Sequence, residues 1–321
     1  MKLYLTFDVE IWCDGWHDLD GRFPASFDRY VYGRSSSGDF ALPKTLEILK
    51  RHGLKAVFFV EPLFAARFGV EFLARIVAII QADGHDVQLH LHAEWTDEIR
   101  PLVFPGPPQK RQHLSYYSLE EQITLLTLGR DLLAQAGCDS IKAFRAGSFA
   151  CNRDTFRALR AVGILIDSSL HEILPDSGID MRGTFDFLRP LVLDQVVILP
   201  LTVFRDGIGK LRPAQVGACG FEEIRDAILS AAAANTQHFV VLSHNFEMLK
   251  QRSSEPDRLV VARFERLCAF LAQQAGRIEV STFSNGSVDI EEGAALSPLP
   301  FAGFPATMRR IGEQAVRRVV G

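Results

Sequence analysis

Gly84-His85-Asp86-Val87-Gln88-Leu89-His90-Leu91-His92-Ala93-Glu94-Trp95 reads as a buried strand whose last residues alternate strictly. Side chains on a strand point to opposite faces in turn, so Leu89 and Leu91 share one face and His90 and His92 the other. With Glu94, two imidazoles and a carboxylate leave the strand end on one side. Groups that are costly to bury have little structural reason to sit there. The cluster therefore points to chemistry, provided a strand bearing carboxylates lies beside it. Lys2-Leu-Tyr-Leu-Thr-Phe-Asp8-Val-Glu10 is such a strand, and its carboxylates at i and i+2 lie on one face.

Outward from these two stretches, strand and helix signals alternate. Helices are expected over about Pro43–His52, Val70–Ala82, Leu119–Ala136, Asn152–Val162, Phe221–Asn235 and Pro256–Ala275. Gly53, Gly84, Gly137 and Gly163 supply stops, and Asn152 a plausible N-cap. Further strands are expected over Lys55–Val60, Ile141–Phe149, Ile164–Ser168, Gln195–Phe204, His238–Asn245 and Ile278–Phe283. Pro200 implies a bulge or an edge position. Trp12–Asp39 and Trp95–Tyr117, rich in glycine, proline, serine or aromatics, read as long functional loops.

About seven such alternations imply a parallel α/β sheet, either a barrel or a doubly wound sheet. Asp8-Val9-Glu10 carries no glycine-rich first turn, which argues against a nucleotide-binding doubly wound fold. Asp8, Glu10, His90, His92, Arg145, Asp167 and His244 all fall at C-terminal strand ends, the face on which barrel active sites form. The expected architecture is an irregular (β/α) barrel over residues 1–290, with a C-terminal extension over 291–321.

Composition narrows the function. A formal charge of −4 gives no electrostatic reason to expect a nucleic-acid partner. Five scattered cysteines without a CxxC argue against a disulfide scaffold or a thiolate zinc site and fit a reducing compartment. The first strand begins without a basic leader, and no stretch reaches the ~18 apolar residues of a bilayer span. The expectation is a cytoplasmic protein.

His90, with His92 or Glu94 and one of Asp8 or Glu10, would offer three ligands with an open position. That set suits catalytic zinc, or cobalt, nickel, iron or manganese. The remaining carboxylate of the Asp8/Glu10 pair could serve as general base, and His244 could protonate a leaving amine. Arg145 could hold the base ionised through a charge-assisted hydrogen bond. Together these are the tools of metal-assisted amide hydrolysis. Trp12, Trp16 and Trp95 lie in loops beside these residues, where aromatic faces could stack on a sugar or simply pack. His17, His52, His85, His113, His171 and His238 read as structural or incidental.

Thr6-Phe-Asp-Val-Glu10, Gly84-His-Asp-Val-Gln-Leu-His90, Phe144-Arg-Ala-Gly-Ser-Phe149, Asp167-Ser-Ser169 and Leu242-Ser-His244 follow one another in the order and spacing of the NodB-type polysaccharide deacetylases. The chain resembles that family from residue 3 to about residue 285, and its form of the second motif is closest to members of lipopolysaccharide and O-antigen biosynthesis. The resemblance implies an irregular barrel of about seven strands and metal-dependent removal of acetyl groups from sugars. It implies Asp8 as base, Glu10 and His90 as metal ligands, Arg145 as partner of the base and His244 as general acid. It further implies an acetylated sugar substrate, carried on a nucleotide, a lipid or an oligosaccharide, with Ser148 and Asn245 beside Trp12 and Trp95 as candidate substrate contacts.

Three departures from the family pattern stand out. Val9 separates carboxylates that are usually adjacent, which leaves base and ligand interchangeable. Four residues beyond His90 stands Glu94 in place of a histidine, so either His92 or Glu94 completes the set. Gly147-Ser148 replaces a common Pro-Tyr. Two other readings share the fold: a metal-free amidohydrolase of cyclic ureides or imides, and a non-catalytic carbohydrate-binding barrel. The tail, Ala306–Val320, can form a helix with Met308, Ile311, Ala315 and Val319 clustered and Arg309, Arg310, Arg317 and Arg318 elsewhere. It reads as a docked helix, or as a weak membrane-surface contact suited to a lipid-linked substrate.

Overall fold

The unbroken apolar run Val57-Phe-Phe-Val60 is buried on both faces, as strands of a helix-covered parallel sheet are. The chain is described here from a computed structural model, which covers all residues except 171, 174–187, 252, 285–287, 289, 291–297 and 321, and omits the side chains of 316 and 318–320. It divides into two units. One comprises Met1–Ala56, Leu201–Thr282 and Glu291–Gly321; the other comprises Val57–Pro200 and Phe283–Ile290.

The first unit opens with β1 (Lys2–Val9), α1 (Leu19–Phe27), a π-helical turn over Asp28–Tyr32, the short pair β2 (Arg34–Ser35) and β3 (Gly38–Asp39), and α2 (Leu42–Arg51). The stretch Trp12–Asp39 is thus not a loop throughout. Gly21 and Pro24 inside α1, and an Asp18 that makes no side-chain cap, hide the helix from a sequence reading. Burial of Leu19, Phe23 and Phe27 on one face holds it.

The second unit runs β4 (Val57–Val60), α3 (Ala65–Phe68), α4 (Val70–Ala82), β5 (Asp86–Leu91), α5 (Leu119–Gln135), β6 (Ala143–Ala146), α6 (Arg153–Ala161), β7 (Ile166–Asp167), β8 (Leu191–Leu193) and β9 (Val196–Ile198). Its strands lie in the order β4-β5-β6-β7-β9-β8, parallel except for the antiparallel β8–β9 hairpin. Ser118 and Asn152 cap α5 and α6 through capping boxes, which explains why those two helix starts are legible. Trp95–Tyr117 is entered on a 3₁₀ turn over Ala93–Glu98 and carries another over Leu114–Tyr116.

The chain then returns to the first unit with β10 (Val203–Arg205), β11 (Leu211–Pro213), α7 (Phe221–Ala233), β12 (His238–His244), α8 (Arg258–Gln273), β13 (Glu279–Val280) and α9 (Phe304–Val320). The expected strand Gln195–Phe204 is two strands, β9 and β10, because Pro200 cannot donate to a ladder. β1 pairs in parallel with β12 along its length and with β13 at its start. The five cysteines are buried thiols. No helix among the described residues is long and apolar enough to cross a membrane. His171 lies outside the described residues, as do the side chains of Arg318 and Val319.

Candidate active site

In the first unit the β1–β12 register makes Asp8 and His244 direct partners. The register sets the imidazole Nε2 4.0 Å from Asp8 Oδ2. Glu10, two residues beyond Asp8 on the same face, joins them: a ligand atom from each of Asp8, Glu10 and His244 lies within 4.8 Å of the others. Asn245, proposed from sequence as a substrate contact, is buried and occupied otherwise. Its Oδ1 accepts from Glu10 N at 3.1 Å, and its Nδ2 donates to Glu10 O at 3.1 Å and Tyr30 O at 2.6 Å. It clamps the backbone that carries Glu10. Trp12 is half-buried, donates from Nε1 to Glu10 Oε2 at 2.7 Å and meets Trp16 edge to face.

Sequence reasoning missed Glu247. It accepts from His244 Nδ1 at 2.9 Å, from Ser243 Oγ at 2.9 Å, from Gln215 Nε2 at 2.6 Å and from Gly217 N at 2.8 Å. A Cβ at residue 217 would stand 2.8 Å from this carboxylate, so a side chain there would push Glu247 away from its partners. Burial by itself would lower the pKa of His244. The bond from Glu247 and the charges of Glu10, Glu247 and Asp8 outweigh it and carry the imidazole up from 6.5 to about 9. At neutral pH His244 is a cation with a proton to give.

In the second unit β5 delivers His90 and the residue after the strand delivers His92. Their rings meet edge to face with centroids 4.8 Å apart. His90 Nδ1 lies 2.8 Å from the carbonyl of Arg145, its register partner on β6. A carbonyl can only accept, so Nδ1 carries the proton and the lone pair is on Nε2. His92 Nδ1 lies 3.2 Å from Glu94 Oε2, which fixes the same tautomer by the same logic. Glu94 thus orients an imidazole. The alternation that puts both rings on one face was legible from the sequence; the partners that orient them were not.

Gly147, just after β6, is part of this arrangement. A Cβ there would lie 2.6 Å from His92 Nδ1 and 2.7 Å from its Cγ, so the ring occupies space that any side chain at 147 would fill. Ser148 follows in left-handed backbone at φ 54°. Arg145 is fully buried, donates from Nε to Ser168 O at 3.0 Å and from Nη2 to Ser168 Oγ at 3.1 Å, and lies over the Phe59 ring at 4.2 Å. Asp167, whose pKa burial pushes up to about 6, holds Ser169, which in turn holds the backbone N–H of Ala146. Trp95 is buried edge-on to Phe68, with no face open to a ligand, so its ring packs.

Glu61 was also missed. It follows β4, accepts from the backbone N–H groups of Leu63 and Phe64, and is driven by burial up to about 8, with His92 and Glu94 also acting on it electrostatically. Its position at a strand end was the available signal; the following Pro62 disguised it as loop.

The donors fit a divalent first-row ion. His90 and His92 share one tautomer through carbonyl and carboxylate partners, the support that metal-ligating histidines ordinarily have, while Asp8, Glu10 and His244 form a donor cluster of their own in the first unit.

A protein of Mycobacterium smegmatis, provisionally described as a polysaccharide deacetylase, matches over 89% of this chain and 94% of its own, with TM-score 0.53 and 18% identity. Lower in TM-score, at 0.41, is a family 4 carbohydrate esterase from Streptomyces lividans in complex with acetate (14% identity, 92% and 97% covered). The chitin deacetylase of Colletotrichum lindemuthianum matches at 0.41 as well (16% identity, 91% and 89% covered). No family model matches the chain, and no curated protein does. The chain therefore has the polysaccharide-deacetylase fold, the α/β barrel type that its motif order led us to expect.

Proposed function

We propose that this chain is a metal-dependent hydrolase that removes the acetyl group from the nitrogen of an acetylated sugar. The observation that carries the reading is the pairing of Asp8 with a cationic, Glu247-bound His244 at the ends of two neighbouring strands. Amide hydrolysis needs one group to take a proton and another to give one. Asp8 would take the proton of the attacking water, and His244 Nε2 would give one to the departing amine as the C–N bond breaks, leaving acetate and a free amino sugar.

Glu10, His90 and His92 would hold a divalent ion, zinc before cobalt, nickel, iron or manganese. When bound it supplies Lewis acidity toward the acetyl carbonyl and the water. Glu94 would fix His92, and Arg145, held by Ser168, would steady the base. Trp12 and Ser148 would contact the sugar. The motif resemblance favours an intracellular sugar nucleotide or lipid-linked sugar of surface-polysaccharide assembly, and the five buried thiols suit a reducing compartment.

The test is acetate release from a panel of acetamido-sugar nucleotides and chitin oligosaccharides, with elemental analysis of protein purified without a metal-affinity tag. About one metal ion per chain and acetate released in step with free amine support the proposal. Turnover undiminished after complete metal removal would instead favour the metal-free amidohydrolase reading.

A further inference from the structure

α9 is amphipathic in the unusual sense: it turns its polar face inward. Thr307 and Arg310 are buried, both bonded to Glu223, and Arg310 also pairs with Asp206. Arg263 binds Glu313 from α8. The helix is thus fastened to its unit through hydrogen bonds and ion pairs, which leaves its apolar stripe outside. Phe304, Met308 and Ile311, at i, i+4 and i+7, expose 57%, 37% and 40% of their surface. Phe301, bridged to Arg205 of β10, exposes 61%, and Ile208 at the tip of the β10–β11 hairpin exposes 47%. Free apolar side chains gathered in this way mark a surface that meets something.

We propose that this patch is a peripheral docking surface for an anionic lipid bilayer. Charge is the first argument. Across residues 205–210 and 301–315, every exposed residue is apolar, glycine, proline or cationic, and none is acidic. The cations that no carboxylate pairs among the described residues are Arg205 and Lys210, while Arg309 is held by Glu222 and Glu313, on a chain whose overall charge is −4. A rim of cations around phenylalanine and isoleucine is the composition that inserts shallowly among anionic headgroups. Symmetry is the second argument. A second copy seated on this patch would bring Arg205 and Lys210 towards their own kind with no exposed carboxylate among residues 205–210 and 301–315, whereas an anionic surface attracts both.

The experiment is co-sedimentation of the full chain with vesicles of phosphatidylcholine alone and of phosphatidylcholine with phosphatidylglycerol, alongside Phe304→Ser/Ile311→Ser and Arg205→Gln/Lys210→Gln. Wild type should bind the anionic vesicles, and less tightly as salt rises. The apolar variant should lose about tenfold or more in partitioning, with an unchanged thermal melt because both side chains are exposed. The cation variant should lose several-fold, on anionic vesicles only. Failure of the wild type to bind, or equal binding by the apolar variant, overturns the proposal. So does a concentration-dependent dimer that the apolar variant abolishes, which would give the patch to a second copy. The readout is binding, so failure here leaves the deacetylase proposal untouched.

Discussion

The histidine of the first unit and the histidines of the second are held by different neighbours, and the neighbours decide their chemistry. His244 sits against Glu247, with Glu10 and Asp8 adding negative charge, so its imidazole retains a proton up to about pH 9. His90 and His92 each give the Nδ1 proton to an acceptor, a carbonyl and the Glu94 carboxylate, which fixes the tautomer whose lone pair is on Nε2. One site is built to hold a proton, the other to present an electron pair. The residue type says neither; the hydrogen-bond partner says both.

The sharpest way to break this contrast is to remove one ring from each side. His90→Ala should lose its metal, read by elemental mass spectrometry, and acetate release with it. His244→Ala should keep the metal while activity falls by about 10²–10⁴. Metal loss in His244→Ala would instead assign the ion to the Asp8–Glu10–His244 cluster and collapse the distinction.

Glu247→Gln comes next. It removes the largest of the influences that raise the His244 pKa, so the alkaline limb of the pH–rate profile should move to lower pH. The sign for stability agrees. A folded pKa above the unfolded 6.5 stabilises fully below about 6.5, and that contribution disappears as pH rises through about 9. The melting temperature of the wild type should therefore lose more than that of the variant between those pH values.

Gly147→Ala tests the other site. The new methyl would overlap the His92 ring, so metal affinity should fall by about 10–100-fold, the range typical of disturbed ligand support, read by competition with a chelator. Glu94→Gln should fall in the same range, and a larger loss than His92→Ala would mean that Glu94 is itself a ligand. The smallest effect is expected for Asn245→Ala, which strands the buried N–H and C=O of Glu10. It should cost about 1–3 kcal/mol in denaturant unfolding while leaving metal content near one ion per chain.

Much of the fold is legible where local signals agree. Ser118 and Asn152 announce their helices through capping boxes, and Val57–Val60 announces a buried strand through an unbroken apolar run. α1 fails the same reading because Gly21 and Pro24 contradict a helix that only burial enforces. Trp95 and Asn245, which the resemblance offers as substrate contacts, are both buried and engaged. A loop position in sequence does not say whether the loop folds inward.

The sequence by itself determined the parity of its strands. Alternation with period two puts His90 with His92 and Asp8 with Glu10, whatever the rest of the chain does. It could not determine register, because which residues of two strands stand opposite depends on pairing across the whole unit. The tertiary structure decided that Asp8 meets His244 across 235 intervening positions of sequence. It also decided that Glu247 turns back onto that histidine, that Gly147 makes room for His92, and that α9 buries Arg310 against Glu223. Each of these is an encounter between distant or turned-back segments, and only a folded chain can bring such groups within a hydrogen bond of one another.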